Sequence, residues 1–215
     1  TTMFEGNTLK GVAACTARFV TEGSSSTWSF DVGSVVGAWY TRDDAADDVA
    51  FEVLRPNSNY IHAGGFIDAV TPIGSYSPAV GSRVRFDGKN IAFSKNLSQI
   101  EANSTVTFNA GGRSYEARVT SVDSLGIQRP AGGQDVAQVE ARVTLRDITA
   151  RKSPVVIGTD LRIQMRFTDS QAASTPDTFS FAVWDPTGLL LAATDWDVVR
   201  TTEVVLAGGQ VLWKK

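Results

Sequence analysis

Strict alternation of apolar and polar residues is the dominant pattern along this chain. It marks half-buried β-strands, whose successive side chains point to opposite faces of a sheet. Val139, Ala141, Val143 and Leu145 share one face, and Glu140, Arg142, Thr144 and Arg146 share the other. The pattern recurs from Leu161 to Thr168, with Leu161, Ile163, Met165 and Phe167 inward and Arg162, Gln164, Arg166 and Thr168 outward. Charged outer faces of this kind suit antiparallel sheets wetted on one side. Shorter alternations lie at 83–87, 115–122, 179–184 and 202–206, and less regular β-rich runs at 12–20, 27–40 and 49–54. Between them, Asp87-Gly88, Gly111-Gly112, Gly132-Gly133, Asp185-Pro186-Thr187-Gly188 and Gly208-Gly209 carry the residues that tight turns need. Many short strands at this spacing predict an all-β fold, an antiparallel β-sandwich with very little helix. Only 42–50 and 96–102 have the composition for a turn or two of helix.

The length of 215 residues suits one large domain or two small ones. Two stretches rich in Pro, Gly and Ser, 71–81 and 126–135, are candidate boundaries, and the first is the better linker. It divides the chain into β-domains at 1–75 and 76–215, with a single interlocked sandwich as the alternative. A faint echo supports a pseudo-two-fold duplication: Arg18-Phe19-Val20-Thr21 with Thr27 to Val32 parallels Arg166-Phe167-Thr168-Asp169 with Thr178 to Val183. Chance similarity between two amphipathic hairpins is the plainer account.

Composition narrows the chemistry. A net charge of −3 and a pI near 5.2 argue against nucleic acid as a partner, because phosphate binding needs a cationic face. One Cys and one His exclude an internal disulfide framework, a Cys/His zinc cluster and any site needing two imidazoles. No apolar run approaches the roughly 18 residues of a membrane-spanning helix. The chain starts at Thr1 without a basic-then-apolar leader. Either a leader has been removed or the sequence has been trimmed, so the compartment is not read directly; the cell exterior or an organelle lumen is preferred to the cytoplasm.

The candidate chemical residues each have a competing structural account. His62 is a potential general base, but no Gly-x-Ser-x-Gly elbow accompanies it, and Cys15 lies among Val12, Ala13 and Ala14. Asp43, Asp44, Asp47 and Asp48 form the densest charge in the chain; calcium would relieve their repulsion, although a solvated acidic loop explains them as well. No other cofactor is expected. Asp195 and Asp197 flank Trp196, so in a strand both carboxylates would share a face, as glycosidase pairs must. A wet face opposite a buried indole accounts for them equally. Most of the five Trp belong to core-patterned strands, whereas Trp213, near the end, is the one expected at a contact surface. Arg outnumbers Lys, and Arg favours lasting interfaces, so the outward Arg162 and Arg166 join Trp213 as interface candidates.

Asp177-Thr178-Phe179-Ser180-Phe181-Ala182-Val183-Trp184-Asp185-Pro186-Thr187-Gly188, followed by Ala207-Gly208-Gly209-Gln210-Val211-Leu212-Trp213-Lys214, resembles the small β-sandwich modules near the C-terminus of bacterial cell-surface and secreted proteins. In such modules an aromatic strand ends in Trp-Asp before a turn, and a glycine pair leads into the closing strand. The resemblance covers the last third of the chain and implies a non-catalytic module. With no catalytic constellation in view, the expectation is a non-enzymatic structural subunit. It would assemble with copies of itself into a sheet, tube, shell, filament or surface layer, since strand edges pair with neighbours unless blocked. The alternative is an extracellular carbohydrate-binding or adhesion module that uses exposed Trp and, through the acidic cluster, calcium.

Overall fold

The computed structural model describes residues 2–5, 8–11, 25–30, 35–37, 40–42, 49–54, 60–93, 100–128, 133–170, 175–197 and 201–214. Every regular element among them is a β-strand, and every strand pairing is antiparallel. The chain divides into two units, residues 1–55 and 56–215. The first holds β1 (Thr2–Glu5), β2 (Thr8–Gly11), β3 (Ser25–Phe30), β4 (Val35–Gly37), β5 (Tyr40–Arg42) and β6 (Val49–Leu54). Within it β1 pairs β2, β3 pairs β6 and β4 pairs β5.

The second unit is one ten-stranded sheet. Its strands are β7 (Tyr60–Asp68), β8 (Arg83–Phe93), β9 (Ile100–Ala110), β10 (Arg113–Gln128), β11 (Asp135–Asp147), β12 (Val155–Asp169), β13 (Thr178–Trp184), β14 (Leu190–Ala193), β15 (Val204–Val205) and β16 (Gly208–Lys214). From β7 to β13 each strand pairs with the next, and β16 lies beyond β7. The Pro/Gly/Ser-rich stretch at 71–81 therefore connects two neighbours in one sheet, and the sheet runs across the 75/76 position. Two helical expectations are corrected in part: residues 49–50 lie in β6, and 100–102 lie in β9, where Ile100 and Glu101 pair with Phe93 and Ala92. Arg42 ends β5, and residues 43–48 and 96–99, with residues 18–21 of the echo, fall outside the described residues.

The alternating residues do what their period requires. Val139, Ala141, Val143 and Leu145 are all 0% exposed, and Leu161, Ile163, Met165 and Phe167 are buried with them. The core is dense in aromatic rings that meet across the interior. Phe86 of β8 stacks on Phe179 of β13 at 4.1 Å, and Phe108 of β9 meets Phe181 of β13 at 5.6 Å. Neither β8 nor β9 adjoins β13 in the sheet order. The facing layers are thus parts of a single sheet rolled over on itself, with large ring areas buried between them. Strands of 16, 13 and 15 residues (β10, β11, β12) make this turn, longer than the turn spacing predicts. Bulges in β10 at Val119/Ser121 and Val122/Ser124 supply the bend.

A partner switch closes the roll. β12 occupies one edge of β13 along its length, so β14 and β15 both pair with its other edge. The chain then leaves β13: the Leu206 N–H donates to the Asp177 carbonyl, the Ala207 N–H donates to the Phe66 carbonyl, and β16 pairs with β7. Asp177 pins this seam, one carboxylate oxygen accepting the Val211 N–H at 2.7 Å and the other the Ser170 N–H at 3.1 Å.

Of the expected turns, Gly111-Gly112 holds, with φ of 55° and 75° between the paired Ala110 and Arg113. Asp185 to Gly188 holds as well: one Asp185 carboxylate oxygen accepts the Thr187 and Leu189 N–H groups and the Thr187 hydroxyl. Asp87-Gly88 instead lies inside β8, and Gly208-Gly209 inside β16. In β16 the glycines serve close approach: a β-carbon on Gly209 would lie 2.2 Å from the Gly64 carbonyl oxygen.

Phe179 is 0% exposed and touches Phe86, Phe167 and Phe181, so it ties both layers together. Phe179→Ala is expected to lower the unfolding free energy by about 3–5 kcal/mol, read from urea denaturation followed by tryptophan fluorescence. An unchanged midpoint would mean that these rings do not hold the layers.

Candidate functional site

The outer wall of the second unit is a lattice of paired charges. Glu116 accepts hydrogen bonds from Arg118, two at 3.3 Å, and from Arg146 on the neighbouring strand. Arg142 reaches Asp123 at 2.7 Å, and Gln164 donates to Glu140 at 2.6 Å. Burial pushes the Glu116 carboxyl up, but the hydrogen bonds and charges of Arg118 and Arg146 outweigh it and leave Glu116 below the ordinary glutamate value. The Thr187 hydroxyl, aided by the N–H groups of Leu189, Thr187 and Gly188 and opposed by burial, likewise holds Asp185 low.

The interface candidates land in three different settings. Trp213 pairs with Ile61 and its half-buried indole packs against the core, because that register turns it inward. Arg166 lies 2.8 Å from Glu203, whose other carboxylate oxygen accepts the hydroxyls of Thr168 and Thr178. The run carrying Glu203 thereby folds over the outer face of β12 and β13, and Ser180 and Thr168 are buried although their register is outward. Arg162 stays exposed, its guanidinium 4.4 Å above the Trp184 ring. With Arg142 and the Asp185 turn it borders a cleft of about 180 Å³. Arg142 and Arg162 are direct cross-strand partners, a like-charge arrangement that Asp123 and the Trp184 ring relieve.

The other candidates lie apart among the described residues or fall outside them. Asp195 holds its own loop, accepting from the Thr202 hydroxyl at 2.9 Å and the Trp196 N–H at 3.1 Å. Asp43, Asp44, Asp47, Asp48 and Cys15 lie outside the described residues. Among the described residues no three His, Cys, Asp or Glu side chains gather as a metal site would require, and no helix is long and apolar enough to cross a membrane.

One concave feature is not announced by the sequence. A trough of about 500 Å³ lies open to solvent on the outer face of β7, β8 and β9. Its floor is Gly64, which pairs with Asp87 on β8; Asp87 in turn pairs with Thr105 on β9. The adjoining row is Phe66, Arg85 and Thr107, and His62 and Lys89 close the far end. Lys89 lies 3.1 Å from Asp87, and the Arg83 guanidinium covers the Phe66 ring at 3.8 Å. Gly65, Gly208 and Gly209 are glycines by necessity, since a β-carbon on each would strike an atom within 2.6 Å. Gly64 is not: a β-carbon there would meet nothing within 4 Å, and its φ is not in the left-handed range. Glycine inside a strand costs about 0.5–1 kcal/mol against alanine, so only the open floor of the trough gives this one a structural consequence.

The lowered Glu116 sets a pH dependence. Its contribution to stability is complete above the unfolded-state glutamate value and is lost as pH falls through the lower folded-state value. Glu116→Gln is expected to cost about 1–3 kcal/mol at pH 7, from charged hydrogen bonds lost, and to flatten the loss of stability on acidification below about pH 4.5. Urea unfolding at neutral and acid pH measures both, and parallel pH curves for the two proteins would remove Glu116 as the source.

Compared with known proteins, the chain matches no family model, no curated protein and no solved structure.

Proposed function

We propose that this protein is a non-enzymatic structural subunit that assembles with copies of itself, end against end, into an extended sheet, tube, shell or surface layer. The observation that carries this reading is where its exposed apolar residues lie. Seven large apolar side chains among the described residues are at least 45% exposed: Val205 on β15, and Val70, Ile73, Val80, Leu189, Val155 and Val156. The last six sit in or beside the connections 69–82, 148–154 and 185–189, at one end of the rolled sheet. Backbone hydrogen bonds join that end into one surface: the Ala79 N–H donates to the Asn109 carbonyl, the Ile148 N–H to Ser114 and the Ser75 N–H to Leu190. Scattered apolar residues on a surface are ordinary, and Val205 is one, but six of seven gathered at one end of a charged wall support a contact made by that end.

A second copy fits this surface better than a small ligand does. At that end Tyr76 packs against Tyr115, with ring centroids 5.3 Å apart, and the cleft beside the Asp185 turn, about 180 Å³, is smaller than the roughly 300–1,000 Å³ usual for small ligands. The apolar groups of the end lose little on desolvation, whereas the walls carry ion pairs already satisfied within the chain. The resemblance of the last third to non-catalytic modules of bacterial surface proteins points the same way.

Sedimentation velocity across a concentration series, with electron microscopy of the same samples, tests this. The expected result is concentration-dependent oligomers and ordered arrays, which Val80→Glu combined with Leu189→Glu abolishes without lowering the melting temperature. A wild-type chain that remains monomeric at high concentration overturns the proposal.

A further inference from the structure

We propose that the trough over Gly64 is a binding site for a carboxylate-bearing sugar, a hexuronate unit of an acidic glycan. This goes beyond the end-to-end assembly and uses a different surface. A volume of about 500 Å³ is within the roughly 300–1,000 Å³ typical of small-ligand sites. The unforced glycine is the first argument. Gly64 leaves a bare strip of peptide backbone between Phe66 and His62, flat enough to receive a ring, in a strand position where β-branched residues would pack better.

The groups around that strip select the ligand class. Thr105, Thr107 and Asp87 offer hydroxyl and carboxylate partners for vicinal sugar hydroxyls, and Arg85 and Lys89 offer cationic donors for a carboxylate. The charged groups facing the trough are Arg85, Lys89 and Asp87, a net charge of +1 on a chain whose total is −3. A single carboxylate matches that excess. A phosphate dianion fits less well, because Asp87 stands within the site and would repel it. A nucleobase lacks a stacking surface, since Arg83 already covers the Phe66 ring. A neutral sugar would leave the cationic donors unused.

The test is isothermal titration of the full chain with tetragalacturonate, beside the neutral galactotetraose and a hexaglutamate peptide. Saturable binding is expected for tetragalacturonate alone, weakening as NaCl rises from about 0.05 to 0.5 M. Gly64→Leu fills the floor, its β-carbon meeting nothing within 4 Å, and Arg85→Gln removes the carboxylate donor; each should weaken binding by about tenfold or more. Arg162→Gln, on a different part of the wall, should leave it unchanged. Thermal unfolding of each variant establishes that it is folded, and Arg85→Gln keeps the test valid should Gly64→Leu fail to fold. The proposal is overturned by absent wild-type binding, by full affinity in folded Gly64→Leu or Arg85→Gln, or by equal binding of the neutral tetramer or the peptide. None of these outcomes bears on assembly through the apolar end, which sedimentation reads separately.

Discussion

Everything in the second unit depends on two backbones meeting where side chains would keep them apart. β16 seats against β7 because Gly65, Gly208 and Gly209 are bare at the crossing. A β-carbon on Gly65 would lie 2.3 Å from the Gly208 oxygen, and one on Gly208 would lie 2.6 Å from the Phe66 ring. Gly209 adds a φ of 100°, which lets the strand begin immediately after the chain has left β13. Without that crossing β7 would present a long open edge, beside the phenylalanines that β8 and β9 hold against β12 and β13. The aromatic core supplies most of the burial, but it forms only because the sheet can close.

Local periodicity was legible and long-range closure was not. The alternation at Val139 to Leu145 and Leu161 to Phe167 reads directly because a strand's period is set by its own backbone. The same letters mislead where a residue serves two physical roles. Gly208-Gly209 reads as a turn because glycine permits positive φ, yet here its missing side chain matters as much. Asp87-Gly88 carries hairpin chemistry, yet Arg85, Asp87 and Lys89 keep facing the same wall through it, and the register shift in β8 near Lys89 absorbs the irregularity. Strand length was underestimated because bulges in β10 interrupt the alternation without ending the strand.

The functional surface was legible in fragments. Arg162 and Arg166 were correctly outward, but Glu203, thirty-seven residues after Arg166, covers one of them and nothing in the local pattern announces it. His62 attracted notice as the single imidazole, whereas its neighbours on the trough come from β8 and β9 and become neighbours only through pairing. Trp213 reads as peripheral from its place near the chain end, but a strand that closes a sheet is not peripheral. Its register with Ile61 turns it toward the core.

The trough and the closure share a strand, and this links binding to stability. Phe66 walls the trough, lies against Gly208 and receives Arg83 on its face, while its carbonyl accepts the Ala207 N–H at the point where the chain changes partners. A ligand held over Gly64 therefore bears on the strand whose pairing with β16 completes the sheet. The residues that line the trough all lie on β7, β8 and β9, so the seam reaches them only through β7, where Phe66 meets both the trough and Gly208. If the chain assembles and binds as proposed, the trough and the apolar end are different surfaces of the second unit, so contact with another copy would leave the trough open to a ligand.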